Sequence, residues 1–392
     1  MTDRPARRRM AVLATTTALY IFIESGFIVI GPLWATRDLG LENAGWAFLR
    51  SASELGGLIS VLSLGILAER LGPRRTSAVA LFGGAAMLVA LATGRATTAL
   101  IAIYGAFVSI TYVSFNTLAQ RVSTRRQSLA NAIYRAAGAA AAIAAPMVGT
   151  RAALMSGSYT PVIRIAALIL GIAGLVILAY PEPEGSHRSR TLSETLSGFA
   201  RCFRLPPLLA FIAATRTFGV AIAAVGAFAA LRFTRELHMS EPTFGVLCSL
   251  IAIGNFVVVL ASGWVVDRLG TSGALSFAWT GCAVAAIALG TSDSLVVSTV
   301  AYALFMPLFS MCSIPLSLWA TRIAQTASAA GTSESMVFTV AKVFQSGTTM
   351  LVMALLGVLE PKVGMQTLMA AGGVLGLIMA VAVVRLGRAQ NV

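Results

Sequence analysis

Glu24 is a lone carboxylate in an apolar run, with Tyr20-Ile21-Phe22-Ile23 before it and Gly26-Phe27-Ile28-Val29-Ile30 after it. A carboxyl group shielded from water favours its neutral form, so it can take up and release a proton near neutral pH. That is the chemistry of proton coupling; the other reading of the same residue is a permanent structural ion pair. Arg135 and Arg216 are the cations to weigh against it. Arg135 lies about 12 Å inside its apolar stretch at the usual rise of about 1.5 Å per residue, too deep for easy snorkelling. Arg216 is similarly deep in its own stretch. Glu24 exchanging between a proton and Arg216 or Arg135 is the mechanism these residues suggest. Glu54 is a reserve proton site, although Arg50 precedes it by one turn and the spacing predicts an intrahelical pair. Arg164 sits near the end of its run and can snorkel; Lys342 either faces the interior or reaches the interface.

Uncharged polar residues add a candidate lining. Tyr112 and Asn116 are one turn apart, Asn131 and Tyr134 precede Arg135, Asn255 is central in the eighth apolar stretch and Gln345 lies in the eleventh. Amide and arginine donors beside aromatic faces suit a hydroxylated or partly anionic small molecule. Each of these residues could equally serve as a helix-to-helix hydrogen bond in lipid. The apolar runs hold no nucleophile–base constellation, so an enzyme is not expected. Cys202, Cys248, Cys282 and Cys312 lack the spacing of metal ligands or paired thiols. No G-x-x-x-x-G-K-[ST] loop is present, so ATP is not the expected energy source. The expectation is no metal and no cofactor, with a proton gradient as the drive.

The elements that carry these residues must be membrane helices. Of 392 residues, 57% are hydrophobic and only 11% charged, where a soluble domain carries about 25% charged residues. A net charge of +14 raises the question of nucleic acid, but only two of the 29 basic residues are lysine, and the arginines cluster in short loops between apolar runs. That is a topology signal and not a binding stripe, so no nucleic-acid partner is expected. A spanning helix needs roughly 20 apolar residues. Twelve stretches qualify, near 10–34, 44–68, 76–94, 97–120, 127–150, 160–180, 207–231, 243–266, 272–291, 295–320, 335–359 and 364–385. Alternate loops hold 18 Arg against six Arg or Lys. The richer side is expected to be cytoplasmic, with both termini there. Arg7, Arg8 and Arg9 precede a run too long for a cleavable signal peptide, and no small-residue cleavage site closes it. The polar segment 181–206 is read as a cytoplasmic linker, its Arg201 to Arg204 part as a short interfacial helix. It separates residues 1–180 from 207–392, six spans each.

The loop after the second stretch reads Gly65-Ile-Leu-Ala-Glu69-Arg70-Leu71-Gly72-Pro73-Arg74-Arg75, and the loop after the eighth reads Gly263-Trp-Val-Val-Asp267-Arg268-Leu269-Gly270. Glycines, acid, arginine and leucine recur at a constant offset of 198. Two copies at equivalent points of two six-span halves identify an internal repeat. Here the chain resembles the major facilitator superfamily, whose signature in that loop is G-x-x-x-D-R-x-G-R-R. Glu69 replaces the aspartate, a proline precedes Arg74, and the second copy lacks the trailing basic pair. The resemblance implies an all-α membrane protein with 12 transmembrane helices in two six-helix bundles, a central cavity, and alternating access by rocking of the halves. It implies a gating role for Gly65, Glu69, Arg70, Gly72, Asp267 and Arg268.

Residues Ala145-Pro146-Met147-Val148-Gly149 keep the Pro-x-x-Gly core of a motif that drug:proton antiporters carry in the fifth helix, without their flanking glycines or fourth-helix arginine. Asn131 to Gly149 is also similar to bacterial sugar-efflux members. The implied function is proton-coupled export of a small molecule (a sugar, drug or other metabolite) by a monomer in the bacterial inner membrane. The alternative is a proton-coupled importer of a sugar, organic acid or siderophore.

Overall fold

Apolar runs in lipid must satisfy every backbone polar group internally, which leaves helices as the spanning element for such a sequence. In a computed structural model of the chain, residues 4–94, 97–122, 127–181, 197, 200–202, 204–329 and 334–390 are described. Every regular element among them is helical: α1 (Arg4–Arg37), α2 (Asn43–Leu71), α3 (Pro73–Leu91), α4 (Thr97–Arg121), α5 (Gln127–Ser156), α6 (Thr160–Leu178), α7 (Pro206–Leu231), α8 (Glu241–Thr291), α9 (Leu295–Met311), α10 (Ser313–Ala329) and α11 (Glu334–Gln390). Among the described residues, nine helical stretches have the length and apolarity to cross a membrane. Two of them are too long for a single crossing. The stretch Glu241–Thr291 has 51 residues and Thr339–Val383 has 45, where one crossing takes roughly 20.

Both are broken by a glycine. Gly270 interrupts α8 at φ 70°, ψ 171°, and Gly364 interrupts α11 at φ 79°, ψ 158°. That region of backbone space is open essentially to glycine alone. Gly270 falls between the stretches 243–266 and 272–291, and Gly364 is the first residue of 364–385, which follows 335–359. Gly72, the counterpart of Gly270 at the offset of 198, takes φ 80°, ψ 153° and ends α2 ahead of Pro73, the first residue of α3. The repeated signature therefore repeats a backbone conformation as well as residue types. The expected 295–320 stretch is a single apolar span, Leu295–Ala320, within which a turn at Cys312 separates α9 from α10. Pro307 lies inside α9, and Pro315 has no N–H to return to Met311.

Contacts divide the chain into two compact units, Met1–Gly40 with Leu49–Thr195, and Leu41–Phe48 with Leu196–Val392. In the first unit α1 packs on α5 and α6, and α3 packs on α4 and α6. Glycine allows the closest approach, between α2 and α4: a Cβ on Gly56 would stand 1.7 Å from the Ala102 carbonyl oxygen, and one on Gly105 2.0 Å from that of Ser53. Close backbone contact through small residues is the usual way helices associate in lipid, where dispersion replaces the hydrophobic effect. At one end of this unit Asp38 caps α6. Its Oδ2 accepts from the Tyr159 and Thr160 backbone N–H groups at 2.8 and 3.1 Å and from Ser158 Oγ at 2.7 Å. A carboxylate there meets both the unpaired donors and the positive end of the helix dipole.

In the second unit α8 and α11 make the broadest contact, and α7, α9 and α10 pack around them. A π-helical turn, Arg232–Glu236, follows α7. Its Arg232 is 1% exposed. The guanidinium donates to Glu236, to the Ser292 carbonyl at 2.7 Å and to Asp293 at 3.3 Å. Gln366 donates to the same Asp293 carboxylate at 2.9 Å. This one side chain ties the end of α7 to the turn between α8 and α9.

Candidate functional site

Tyr20, Glu24 and Phe27 lie one helical turn apart on α1 and so share a face. The partner that face meets is α4. Tyr104, 3% exposed, donates its hydroxyl to Glu24 Oε1 at 2.9 Å. Phe27 sits beside Tyr104 with ring centroids 5.7 Å apart and reaches Trp34 at 6.3 Å. Tyr20 closes the other side, its ring edge-on to Phe115 at 5.5 Å and its hydroxyl 3.4 Å from the Val108 carbonyl. The carboxyl group is thus half-buried in an aromatic frame held by two helices. A phenol donor serves the carboxylate and the protonated acid alike, since each retains an acceptor oxygen. The arrangement can hold a proton on Glu24 and give it up without losing the Tyr104 contact.

Glu54 is a different environment. It accepts from Arg50 at 3.1 Å along α2, as their spacing predicts, with 13% of its side chain exposed. Tyr112 on α4 is 49% exposed, and Tyr134 on α5 is half-buried. The side chains of Gly65, Glu69, Arg70, Asn116, Asn131 and Arg135 lie outside the described residues.

In the second unit Arg216 is half-buried on α7, its Nε donating to Thr215 Oγ1 at 3.2 Å. Phe211 and Phe218 flank it on the same helix, and each meets a tryptophan. Phe218 stacks on Trp279 at 4.3 Å, and Phe211 takes Trp319 edge-on at 5.1 Å. Among the described residues, the buried Asn255 Oδ1 and Trp319 Nε1 have no hydrogen-bond partner. Gln345 is exposed. Asp267 and Arg268 are also exposed, and the Arg268 guanidinium lies 4.0 Å over the Trp264 ring. That stack joins residues one turn apart on α8. Sequence reasoning missed Tyr104, Trp319 and Phe211. Tyr104 is 80 residues from Glu24, and nothing in its local sequence marks it as a ligand to a carboxylate. Among the described residues no cluster of His, Cys, Asp or Glu could hold a metal ion.

The profile of the Major Facilitator Superfamily matches residues 13–346 of the sequence, well over half of its length. The chain belongs to the Major Facilitator Superfamily. It is therefore a multi-pass membrane transporter that acts on a small-molecule substrate from within a lipid bilayer, and not an enzyme. Solved structures agree on the fold. A point mutant of the nucleoside transporter NupG is 16% identical, with a TM-score of 0.76 over 96% of this chain and 99% of that one. NupG itself gives 0.75 at 15% identity over 98% and 99%. The human organic anion transporter MFSD10 (TETRAN) gives 0.70 at 17% identity, covering 97% of this superfamily member and all of that chain (100%). No curated protein matches by sequence.

Proposed function

We propose that this transporter is a proton-coupled secondary exporter of a small molecule, working by alternating access, with Glu24 as the residue that carries the proton. The observation that supports the reading is the Tyr104 hydroxyl 2.9 Å from Glu24 Oε1, in an aromatic frame at membrane depth. A carboxylate there is expensive to place and is retained for a task. In the proposed cycle Glu24 exchanges its proton for an arginine, Arg216 or Arg135. Glu54 is the reserve carboxylate. Arg216, Arg135, Asn116, Tyr112, Asn131, Tyr134, Asn255 and Gln345 contribute to binding the cargo around a central cavity. Gly65, Glu69, Arg70, Gly72, Asp267 and Arg268 serve the gating loops. Twelve crossings, cytoplasmic termini, a bacterial inner-membrane location and a monomeric state belong to the same proposal. The cargo is a sugar, drug or other metabolite.

Uptake is the second reading, favoured by the partly anionic chemistry that two deep arginines would recognise and by the nucleoside and organic anion cargoes named for the structurally similar proteins.

The test is reconstitution into liposomes with an imposed pH gradient, screening sugars, nucleosides, organic anions and antibiotics. The reading expects proton flux on substrate addition, with substrate moving against the proton. Movement with the proton selects uptake. Glu24→Gln is expected to abolish uphill transport and to leave downhill exchange. Tyr104→Phe is expected to slow proton-driven transport about tenfold, the loss of a charge-assisted hydrogen bond worth about 1.5 kcal/mol. Full uphill transport by Glu24→Gln ends the proposal.

A further inference from the structure

A crevice on the first unit opens between α1, α5 and α6, with a volume of about 550 Å³ counting its mouth. Its wall includes Phe22, Gly26 and Phe27 of α1, Ala145 and Gly149 of α5, and Ile165 of α6, and every residue lining it is apolar. The mouth faces outward from the unit: Val148 is 47% exposed and Ile165 53%, and Leu168 and Leu175 continue the exposed face of α6 at 65% and 63%. All of these residues lie in stretches apolar enough to cross the membrane.

At that depth hydrocarbon is the surrounding solvent. Water in the crevice would need two to four polar partners and finds none. Left empty, the walls forfeit dispersion contacts. The small residues make the room. A Cβ on Gly26 would meet nothing nearer than the Ala145 Cβ at 3.7 Å.

We propose that this crevice holds one acyl chain of a membrane lipid, inserted past the outer face of the helices as far as Phe27. Phe27 forms part of the crevice wall and also packs on Tyr104. The lipid chain therefore touches the aromatic frame of Glu24 through Phe27. This binding holds whatever the cargo or the direction of transport.

Trp34 reports on it. It is 1% exposed, so it makes almost no direct contact with lipid on the outer surface, and its ring centroid is 6.3 Å from that of Phe27. The experiment uses a full-length variant with Trp34 as its one tryptophan (Trp46, Trp264, Trp279 and Trp319 replaced by Phe), in vesicles of phosphatidylcholine with plain or brominated acyl chains. Bromine quenches Trp34 strongly if a chain is seated in the crevice. Gly26→Leu, or Ala166→Leu from the α6 wall, fills the space and cuts the quenching several-fold. No quenching, or equal quenching in the filled variants, overturns the proposal. The unmodified chain supplies a second measurement that needs no tryptophan replacement. Photolabelling with a phosphatidylcholine carrying a diazirine in its acyl chain is expected to leave adducts on the buried crevice residues Ile23, Phe27, Ala145 and Gly149. Adducts confined to the outward residues Leu168 and Leu175 overturn it, whether the crevice stays empty or is covered by a second copy of the chain.

Discussion

Gly263 and Gly270 belong to one copy of the repeated signature, seven residues apart by number, and alanine at the two positions should have opposite effects. Neither glycine has a heavy atom within 4 Å of where a Cβ would sit. Packing therefore drops out, and only backbone conformation separates them. Gly270 holds φ 70°, ψ 171°, and forcing an L side chain into that region costs on the order of 1–3 kcal/mol. Gly263 is helical, and alanine there should stabilise by roughly 0.5–1 kcal/mol. Gly263→Ala and Gly270→Ala should thus differ by about 1.5–4 kcal/mol, a ratio of at least about tenfold in the folding equilibrium. Reversible unfolding in mixed micelles of mild detergent and dodecyl sulfate, followed by circular dichroism, reads the difference. Midpoints that coincide, or a more stable Gly270→Ala, would refute the claim that a glycine-only conformation divides α8.

The α2–α4 crossing gives a second outcome. Gly56→Ala puts a Cβ 1.7 Å from the Ala102 carbonyl, so the helices must part, and the same unfolding assay should register a loss of about 1–3 kcal/mol. Arg232→Met removes a guanidinium that is 1% exposed and bonded to Ser292, Glu236 and Asp293. It should destabilise the second unit by about 1–3 kcal/mol, whereas Asp293→Asn, at a side chain 84% exposed, should change stability by under about 1 kcal/mol. Burial pushes the Cys202 thiol above its ordinary value, with Arg201 pulling weakly the other way. Because ionising it disfavours the folded state, its stability contribution holds below the ordinary thiol range and falls as pH rises through it. Maleimide should label Cys202 far more slowly at pH 7 than a free thiol, the rate rising only on alkaline titration or on unfolding. Rapid labelling at pH 7 in the folded protein counts against the burial.

Membrane class, helical fold and the division into separate apolar stretches were legible in the linear sequence. Bilayer thickness divided by the helical rise sets the length of an apolar run, and a run of residues declares its own length. Gly72 and Gly270 were legible as a repeat, and only their dihedral angles showed that both turn the backbone in the same way. Glu24 was legible because a charge among apolar residues needs a reason. Its partner was not. Tyr104 reaches it through the crossing of α1 and α4, and a crossing is set by which side chains interdigitate between helices far apart in sequence. The same holds for Asp38 on the start of α6, for Arg232 against Ser292, and for the dry crevice at Phe27. Periodicity tells a residue which face of its helix it occupies; the neighbour on that face is a property of the packed molecule alone.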